Sequence, residues 1–278
     1  MSGSTIRSAL FVPGSRPERF SKALAAGADV VIVDFEDAVE ESLKRQARDN
    51  LAAFLQTETQ ASVWVRINAP EHSEHAADIA FCQQQSGVAG VLLPKAESGA
   101  QVAAVAVIDK PIWPIIESAR GILKLAEIAA GLCVQRLAFG ALDYGLDLNL
   151  KIDSPSAQFV LDQARVDLLL HSRESKLLAP LDGVYPSIDD FEGLHEAICH
   201  AYDMGFAGAM CIHPKQISVI HRAMAPTAEM MAWAQRVVDA STHGRGAFQI
   251  DGQMVDAPVL IRAQRILATA PINPNAHR

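Results

Sequence analysis

The chain has 278 residues, half of them hydrophobic and 20% charged, and its 24 basic against 32 acidic side chains leave a formal net charge of −8. Such a composition excludes a predominantly disordered chain, which would be poorer in apolar groups. The acidic balance argues against a general nucleic-acid binder, which needs a basic surface to displace counterions from phosphates, but leaves room for a small anion held by a few local Arg or Lys side chains.

Short apolar runs recur at residues 9–12, 30–33, 63–67, 88–93, 112–116, 137–139, 183–185 and 209–212. Several, such as Val30-Val31-Ile32-Val33, are apolar at every position, the mark of strands buried on both faces. Helical spacing fills the gaps between them. Val39, Leu43, Ala47, Leu51, Phe54 and Leu55 share one stripe, and Glu40, Lys44 and Arg48 read as an i, i+4 charge ladder on another. Ser154 as N-cap and Pro155 at the first helical position open a helix expected to run to about residue 178. The alternation predicts an α/β fold, a (β/α)8 TIM barrel. A doubly wound open sheet is the runner-up, disfavoured because Val12-Pro13-Gly14-Ser15-Arg16-Pro17 holds one glycine and no dinucleotide fingerprint.

The pattern changes after Pro226. A helix over about 227–240 leads to the glycine-rich His243-Gly244-Arg245-Gly246. Alternating Phe248, Ile250 and Met254 around Asp251-Gly252 suggest a hairpin, and Pro258 opens a last helix toward Leu267. Residues 1–225 are therefore expected to form a catalytic barrel. Residues 226–278 are expected to form an extension packing on its own or a neighbouring subunit, with 271–278 frayed.

The first eight residues lack the apolar segment of a secretory signal. The longest apolar stretch, residues 101–116, is broken by Asp109, Lys110, Pro111 and Pro114, so no membrane span is expected. Cys82, Cys133, Cys199 and Cys211 are scattered, form no C-x-x-C pair and read as core thiols of a reducing compartment. The expected location is cytoplasmic.

In a (β/α)8 barrel the working residues stand at the C-terminal ends of the strands. Here those positions carry Asp34, Glu36 and Asp37, then Arg66 and Asn68, Lys95, Glu117, Asp143 and finally His213. Glu117 and Asp143 follow adjacent strands, and two hard carboxylates with open coordination positions suit Mg2+ or Mn2+ better than zinc. Glu36 and Asp37 are spaced to hold metal-bound waters or to cap the strand end. Arg66 offers a planar fork to a carboxylate, the alternative being an ion pair with Glu36 or Asp37. His213, before Pro214, reads equally as a base or as a structural hydrogen-bonding group. The His72-x-x-His75 spacing could hold zinc on a helix face, but it lies in a polar stretch without cysteine and reads as solvated surface.

Eight segments in order carry a family resemblance: Ser8-Ala9-Leu10-Phe11-Val12-Pro13-Gly14, Asp34-Phe35-Glu36-Asp37-Ala38-Val39, Val65-Arg66-Ile67-Asn68, Leu93-Pro94-Lys95, Ile116-Glu117-Ser118-Ala119-Arg120-Gly121, Phe139-Gly140-Ala141-Leu142-Asp143, Ile212-His213-Pro214 and Gly252-Gln253-Met254-Val255-Asp256-Ala257-Pro258. Together they resemble the citrate lyase β-subunit-like (CitE-like) group of the HpcH/HpaI aldolase superfamily. The resemblance implies a TIM barrel in homotrimers or hexamers. It implies Mg2+-dependent cleavage or formation of a C–C bond in citryl-, malyl- or citramalyl-CoA thioesters, with acetyl-CoA and oxaloacetate or another keto acid as the partner molecules. It makes Glu117 and Asp143 the metal ligands, Arg66 the group that binds the acid carboxylate, and Glu36 and Asp37 the support for metal waters. It also implies that Asp256 reaches a neighbouring subunit's site as acid/base. Arg16, Arg19 and Lys22 are read as contacts for CoA phosphates, with plain surface charge as the alternative.

Two departures stand out: members of the group often carry a lysine where Ala209 stands, and Phe35 replaces a common leucine. Two other readings stay open, an aldolase of free pyruvate-derived hydroxy-oxo acids and a non-catalytic barrel subunit. Further citrate lyase subunits, among them an acyl carrier, are candidate partners.

Overall fold

A computed structural model of the chain describes residues 6–151, 154–241, 248–250 and 252–268. The expected glycine-rich loop at 243–246, Asp251 of the hairpin turn and the end at 271–278 lie outside the described residues. The chain divides into two compact units, with the division between Ala223 and Met224.

The first unit holds eight parallel strands: β1 (Ser8–Pro13), β2 (Val30–Asp34), β3 (Val63–Arg66), β4 (Val88–Leu93), β5 (Ile112–Ile116), β6 (Ala138–Phe139), β7 (Leu181–Asp182) and β8 (Gly208–Cys211). Each pairs with the next and β8 returns to β1, so the sheet closes without an edge. Around it lie α1 (Phe20–Leu24), α2 (Lys44–Thr57), α3 (His75–Gln84), α4 (Gly99–Val105), α5 (Ala119–Leu123) and α6 (Leu125–Ala129). They are followed by α7 (Ala141–Asp147), α8 (Pro155–Glu174), α9 (Phe191–Met204) and α10 (Pro214–Ala223). The fold is a (β/α)8 TIM barrel, and the uninterrupted apolar runs are the strands sandwiched between lumen and helices.

Alternate strand residues fill the lumen. Ala9, Ile32, Trp64, Leu92, Trp113, Ile115, Ala138, Leu181 and Met210 form one buried cluster there. Trp64 and Trp113 stack with ring centroids 3.9 Å apart, and Gly90 of β4 makes room for them. A side-chain carbon at Gly90 would stand 2.5 Å from the Trp64 ring. Outside the sheet Leu51 and Ala47 of α2 are fully buried, and Phe20 of α1 meets Phe54 edge-on at 5.3 Å.

Three expectations are corrected. Strand seven is Leu181–Asp182, not 183–185: Leu181 enters the lumen cluster, Arg165 of α8 holds Asp182, and Val184 and Tyr185 lie beyond in a loop. The charge ladder does not exist, because the helix starts only at Lys44. Lys44 is 6% exposed and donates to the carbonyls of Phe35 and Glu36 at 3.1 and 2.8 Å, while Arg48 reaches Asp78 and Glu74. Lastly, α8 opens as expected, with Ser154 Oγ accepting from the Ala157 amide at 3.1 Å, but it ends at Glu174 instead of near 178.

In the second unit α11 (Ala228–Ser241) and α12 (Ala257–Ala268) pack on one another with the antiparallel pair β9 (Phe248–Ile250) and β10 (Gln253–Val255). Ala234, Val237, Val255, Ala263 and Ile266 make its own small core. Gly252 takes the left-handed turn position at φ 79°. No helix among the described residues is long and apolar enough to cross a membrane.

Candidate active site

Parallel strands closed into a barrel bring their C-terminal ends to one rim, and the acids noted in the sequence gather there. Asp34, the last residue of β2, is fully buried and accepts the amides of Glu36 and Ala38 at 2.9 and 3.0 Å. It also takes Arg66 Nε and Nη2, one on each carboxylate oxygen, at 2.7 and 2.6 Å. Two hydrogen bonds in parallel between a carboxylate and a guanidinium are strong and directional. The fork edge of Arg66 therefore belongs to Asp34.

The other terminal nitrogen of Arg66, Nη1, lies 2.9 Å from Glu36 Oε2 and 3.3 Å from Asp37 Oδ2. Its guanidinium carbon sits 4.8 Å over the ring of Phe11 from β1. Burial opposes its charge, yet Asp34, Glu36 and Asp37 together drive its pKa further up, so it is a permanent cation. The expectation of a fork free for a substrate carboxylate is thus corrected. The ion pairs with Glu36 and Asp37 given as its alternative are present, and Asp34, not singled out for this task, takes the fork. The signal was available in the sequence: an aspartate closing a strand apolar at every other position needs a cation beside it.

Glu36 is 4% exposed. Its Oε1 accepts Lys95 Nζ at 2.9 Å, whereas no N–H is directed at its Oε2 despite the nearby Arg66. Burial raises its pKa against the pull of Arg66, and the hydrogen bond it shares with Asp37 adds to the rise. Asp37 is more open; burial acts against its charge, but that hydrogen bond with Glu36 and the charges of Arg66 and Lys95 hold its carboxyl below the usual range.

Glu117 follows β5 directly and is 6% exposed. Its Oε1 accepts the backbone amide of Lys95 at 2.7 Å. Burial, with the nearby negative charges of Asp143 and Glu36 adding to it, pushes its pKa up to about 8. Asp143 is exposed and stands in the first turn of α7, four residues past the end of β6. Glu117 and Asp143 line two cavities in common. One, of about 490 Å³, is also lined by Lys95, Glu97, Ser118 and Asp147. The other, of about 60 Å³, lies against Arg66 and the lumen residues Phe11, Ile115 and Met210. Gly140, between β6 and α7, lies so close to Glu117 that a side-chain carbon there would collide with its carboxylate.

Among the described residues no three His, Cys, Asp or Glu side chains form a ready metal cage. Two carboxylates suffice for a hard divalent cation that keeps water and substrate oxygens as its other ligands. Glu117, desolvated beside Asp143, is a donor that such a cation would favour, because the two negative charges raise each other's cost until one is neutralised. Asp34, Glu36, Asp37, Glu117 and Asp143 also outnumber the cations Arg66, Lys95 and Lys44 that meet them. The residues fit a divalent ion.

The remaining candidates separate from this cluster. Asn68 is fully buried and spends its amide on Asp78 at 2.6 Å, a structural bond. His72 meets Glu41 at 3.0 Å and His75 Nδ1 meets the Asn68 carbonyl at 2.7 Å, so the pair is engaged with protein partners. His213, Arg19 and Lys22 line a separate cavity of about 450 Å³ at β1 and β8, whereas Arg16 is exposed and does not line it. Ala209 alternates with the lumen residue Met210, so it faces outward under the helices at 1% exposure and its departure leaves the rim untouched. Phe35 is fully buried against Phe81, with ring centroids 5.6 Å apart. Asp256, in the second unit, is exposed and accepts the Val259 amide at 3.3 Å as a helix cap. Lys95 and Gly140 carry no role in the sequence reading. Both stand inside segments that carry the family resemblance, Leu93-Pro94-Lys95 and Phe139-Gly140-Ala141-Leu142-Asp143, which gave neither residue a task.

The model of the HpcH/HpaI aldolase/citrate lyase family matches residues 7–214 of the chain. A citrate lyase subunit beta-like protein of Mycobacterium tuberculosis is 42% identical over 270 residues, covering 94% of each chain. A (3S)-malyl-CoA thioesterase of Cereibacter sphaeroides is 32% identical over 273 residues, 95% of this chain and 94% of that one. Among solved structures, the CitE protein of M. tuberculosis in complex with magnesium, acetoacetate and coenzyme A superposes with a TM-score of 0.84 at 39% identity, covering 96% of this chain and 98% of that one.

Proposed function

The chain belongs to the HpcH/HpaI aldolase/citrate lyase family, and from that premise we propose that it is a Mg2+-dependent carbon–carbon lyase of short β-hydroxyacyl-CoA thioesters. The substrates are of the citryl-, malyl- or citramalyl-CoA type, cleaved to or formed from acetyl-CoA and a keto acid such as oxaloacetate. The observation that carries this reading is the pair Glu117 and Asp143, both lining the small cavity that Arg66 borders. Similarity to a protein solved with magnesium, acetoacetate and coenzyme A, and to malyl-CoA thioesterases, supports the choice of ligands.

Glu117 and Asp143 would hold the cation through carboxylate oxygens; when bound, it supplies Lewis-acid polarisation of the substrate's hydroxyl or keto oxygen. Arg66, a permanent cation at the same cavity, stabilises the adjacent substrate carboxylate by charge, its fork edge remaining on Asp34. In the cleavage direction the hydroxyl proton passes to a water at the site or to Glu36, which Asp37 and Lys95 hold in place. The C–C bond breaks, the hydroxyl carbon becomes the keto carbon, and the acetyl-CoA fragment departs as a thioester enolate. Asp256 of a neighbouring copy returns a proton to the enolate carbon, and synthesis reverses both transfers. Arg19 and Lys22, with Arg16 beside them, meet the phosphates of CoA. The working form is a homotrimer or hexamer.

The test is a substrate panel. Purified protein is assayed with citryl-, malyl- and citramalyl-CoA and with free 4-hydroxy-2-oxo acids, with Mg2+ and after its removal by chelation, following acetyl-CoA, free CoA and keto acid separately. Turnover of a thioester that requires Mg2+ is expected. Turnover of the free acids alone, or thioester cleavage indifferent to chelation, overturns the reading.

A further inference from the structure

The end of the barrel opposite the rim holds a buried cation that the proposed chemistry does not use. Arg136 lies two residues before Ala138 of β6, against the face of the lumen residue Trp113 near the N-terminal end of β5. It is 2% exposed. Its guanidinium carbon stands 5.2 Å from the ring of Trp113, whose indole N–H is spent on Gln135 at 2.9 Å. Neither Nε nor Nη1 of Arg136 meets an acceptor among the described residues.

Other guanidiniums in this barrel are treated differently. Arg165, 8% exposed, is held by Asp182 at 3.2 Å and by Asp162 at 2.8 Å. Arg66 has Asp34, and Arg48 has Asp78 and Glu74. Among the described residues no charged side chain contributes at Arg136, and burial alone lowers its pKa to about 10, still far above neutrality. An arginine therefore stays charged there, and the face of Trp113 repays only part of the lost hydration. A buried cation of this kind calls for a counter-charge.

We propose that the floor of the barrel binds one small inorganic anion, of chloride size and charge, on the guanidinium of Arg136. Size follows from the surroundings. The indoles of Trp64 and Trp113 stack 3.9 Å apart, and a side-chain carbon at Gly90 would stand 2.5 Å from the Trp64 ring, which leaves no room for an organic anion beside them. The anion joins β6 to the aromatic floor and supports the fold from the end remote from Glu117 and Asp143.

Thermal unfolding at constant ionic strength, with chloride replacing gluconate, tests the site in wild-type protein and in Arg136→Met. A saturating rise of about 3 °C is expected in the wild type at tenfold excess over the dissociation constant, and no such rise in Arg136→Met. Crystals of the wild-type protein soaked in bromide provide the second measurement, which stands even if the variant fails to fold. An anomalous peak beside the guanidinium is expected. Equal chloride responses in both proteins overturn the proposal, as does a bromide map showing only water, or a carboxylate of another copy, against Arg136.

Discussion

Lys95 and Glu117 are joined through the main chain: the Lys95 amide donates to Glu117 Oε1 at 2.7 Å from a left-handed backbone, φ 49°. That conformation costs a residue with a side chain about 1–2 kcal/mol. What it achieves is a double hold, since the same turn lets the Lys95 ammonium reach Glu36 Oε1 at 2.9 Å. One residue at the end of β4 thereby orients two acids from two other strands.

The raised pKa of Glu117, about 8 against an ordinary 4.5, makes stability depend on pH in a definite direction. Between those values the folded protein keeps a proton that the unfolded chain has released. Stability from this group is present below about 4.5 and is lost as pH rises through 8. Without divalent cations, the unfolding free energy from denaturant titrations between pH 5 and 8 should decline by up to about 1.4 kcal/mol per pH unit, and Glu117→Gln should flatten the decline. An unchanged slope in the Gln variant would assign the effect to other groups.

Removing either acid of the pair should abolish turnover without unfolding the chain. Glu117→Ala and Asp143→Ala are expected to lower kcat at least about 1000-fold and to erase Mg2+ binding in calorimetry, with far-ultraviolet circular dichroism unchanged. Normal activity in either variant rejects the assignment of that residue.

Gly140 offers a gentler perturbation. Its φ of −95° is open to any residue, so Gly140→Ala costs nothing in backbone geometry, but the new methyl group must displace the Glu117 carboxylate. We expect kcat to drop at least about tenfold, with a stability loss of only about 1–2 kcal/mol, measured by steady-state kinetics and urea unfolding. Full activity in this variant would show that Glu117 has room to move without consequence.

Asp34 anchors the Arg66 fork and two backbone amides while fully buried. Asp34→Asn removes the buried charge that holds the fork edge, leaving Arg66 only Glu36 and Asp37, and a loss of about 3 kcal/mol is expected in chemical denaturation. Surviving folded protein should show a raised KM for the keto acid, because Arg66 is no longer held in place.

The barrel was legible because its strands are buried on both faces: runs such as Val30-Val31-Ile32-Val33 name themselves without reference to anything distant. Strand seven was misplaced because two residues, Leu181 and Asp182, carry too little pattern, and their pairing depends on β6 and β8. The same distinction divides the site. An acid after an apolar run announces itself locally, as Glu117 and Asp143 do. Whether Arg66 is free or bound to Asp34, or whether Lys44 lies on a surface or under the Phe35–Glu36 backbone, turns on groups brought near only by folding.

Periodicity and residue chemistry, which act over a few neighbours along the chain, were enough by themselves to determine alternating strands and helices with acidic strand exits and to favour a closed barrel over an open sheet. Only the tertiary structure decided which charges neutralise one another. Coulomb and hydrogen-bond energies fall off within a few ångströms, and those ångströms are set by the closure of β8 on β1 and by the register of strands far apart in sequence.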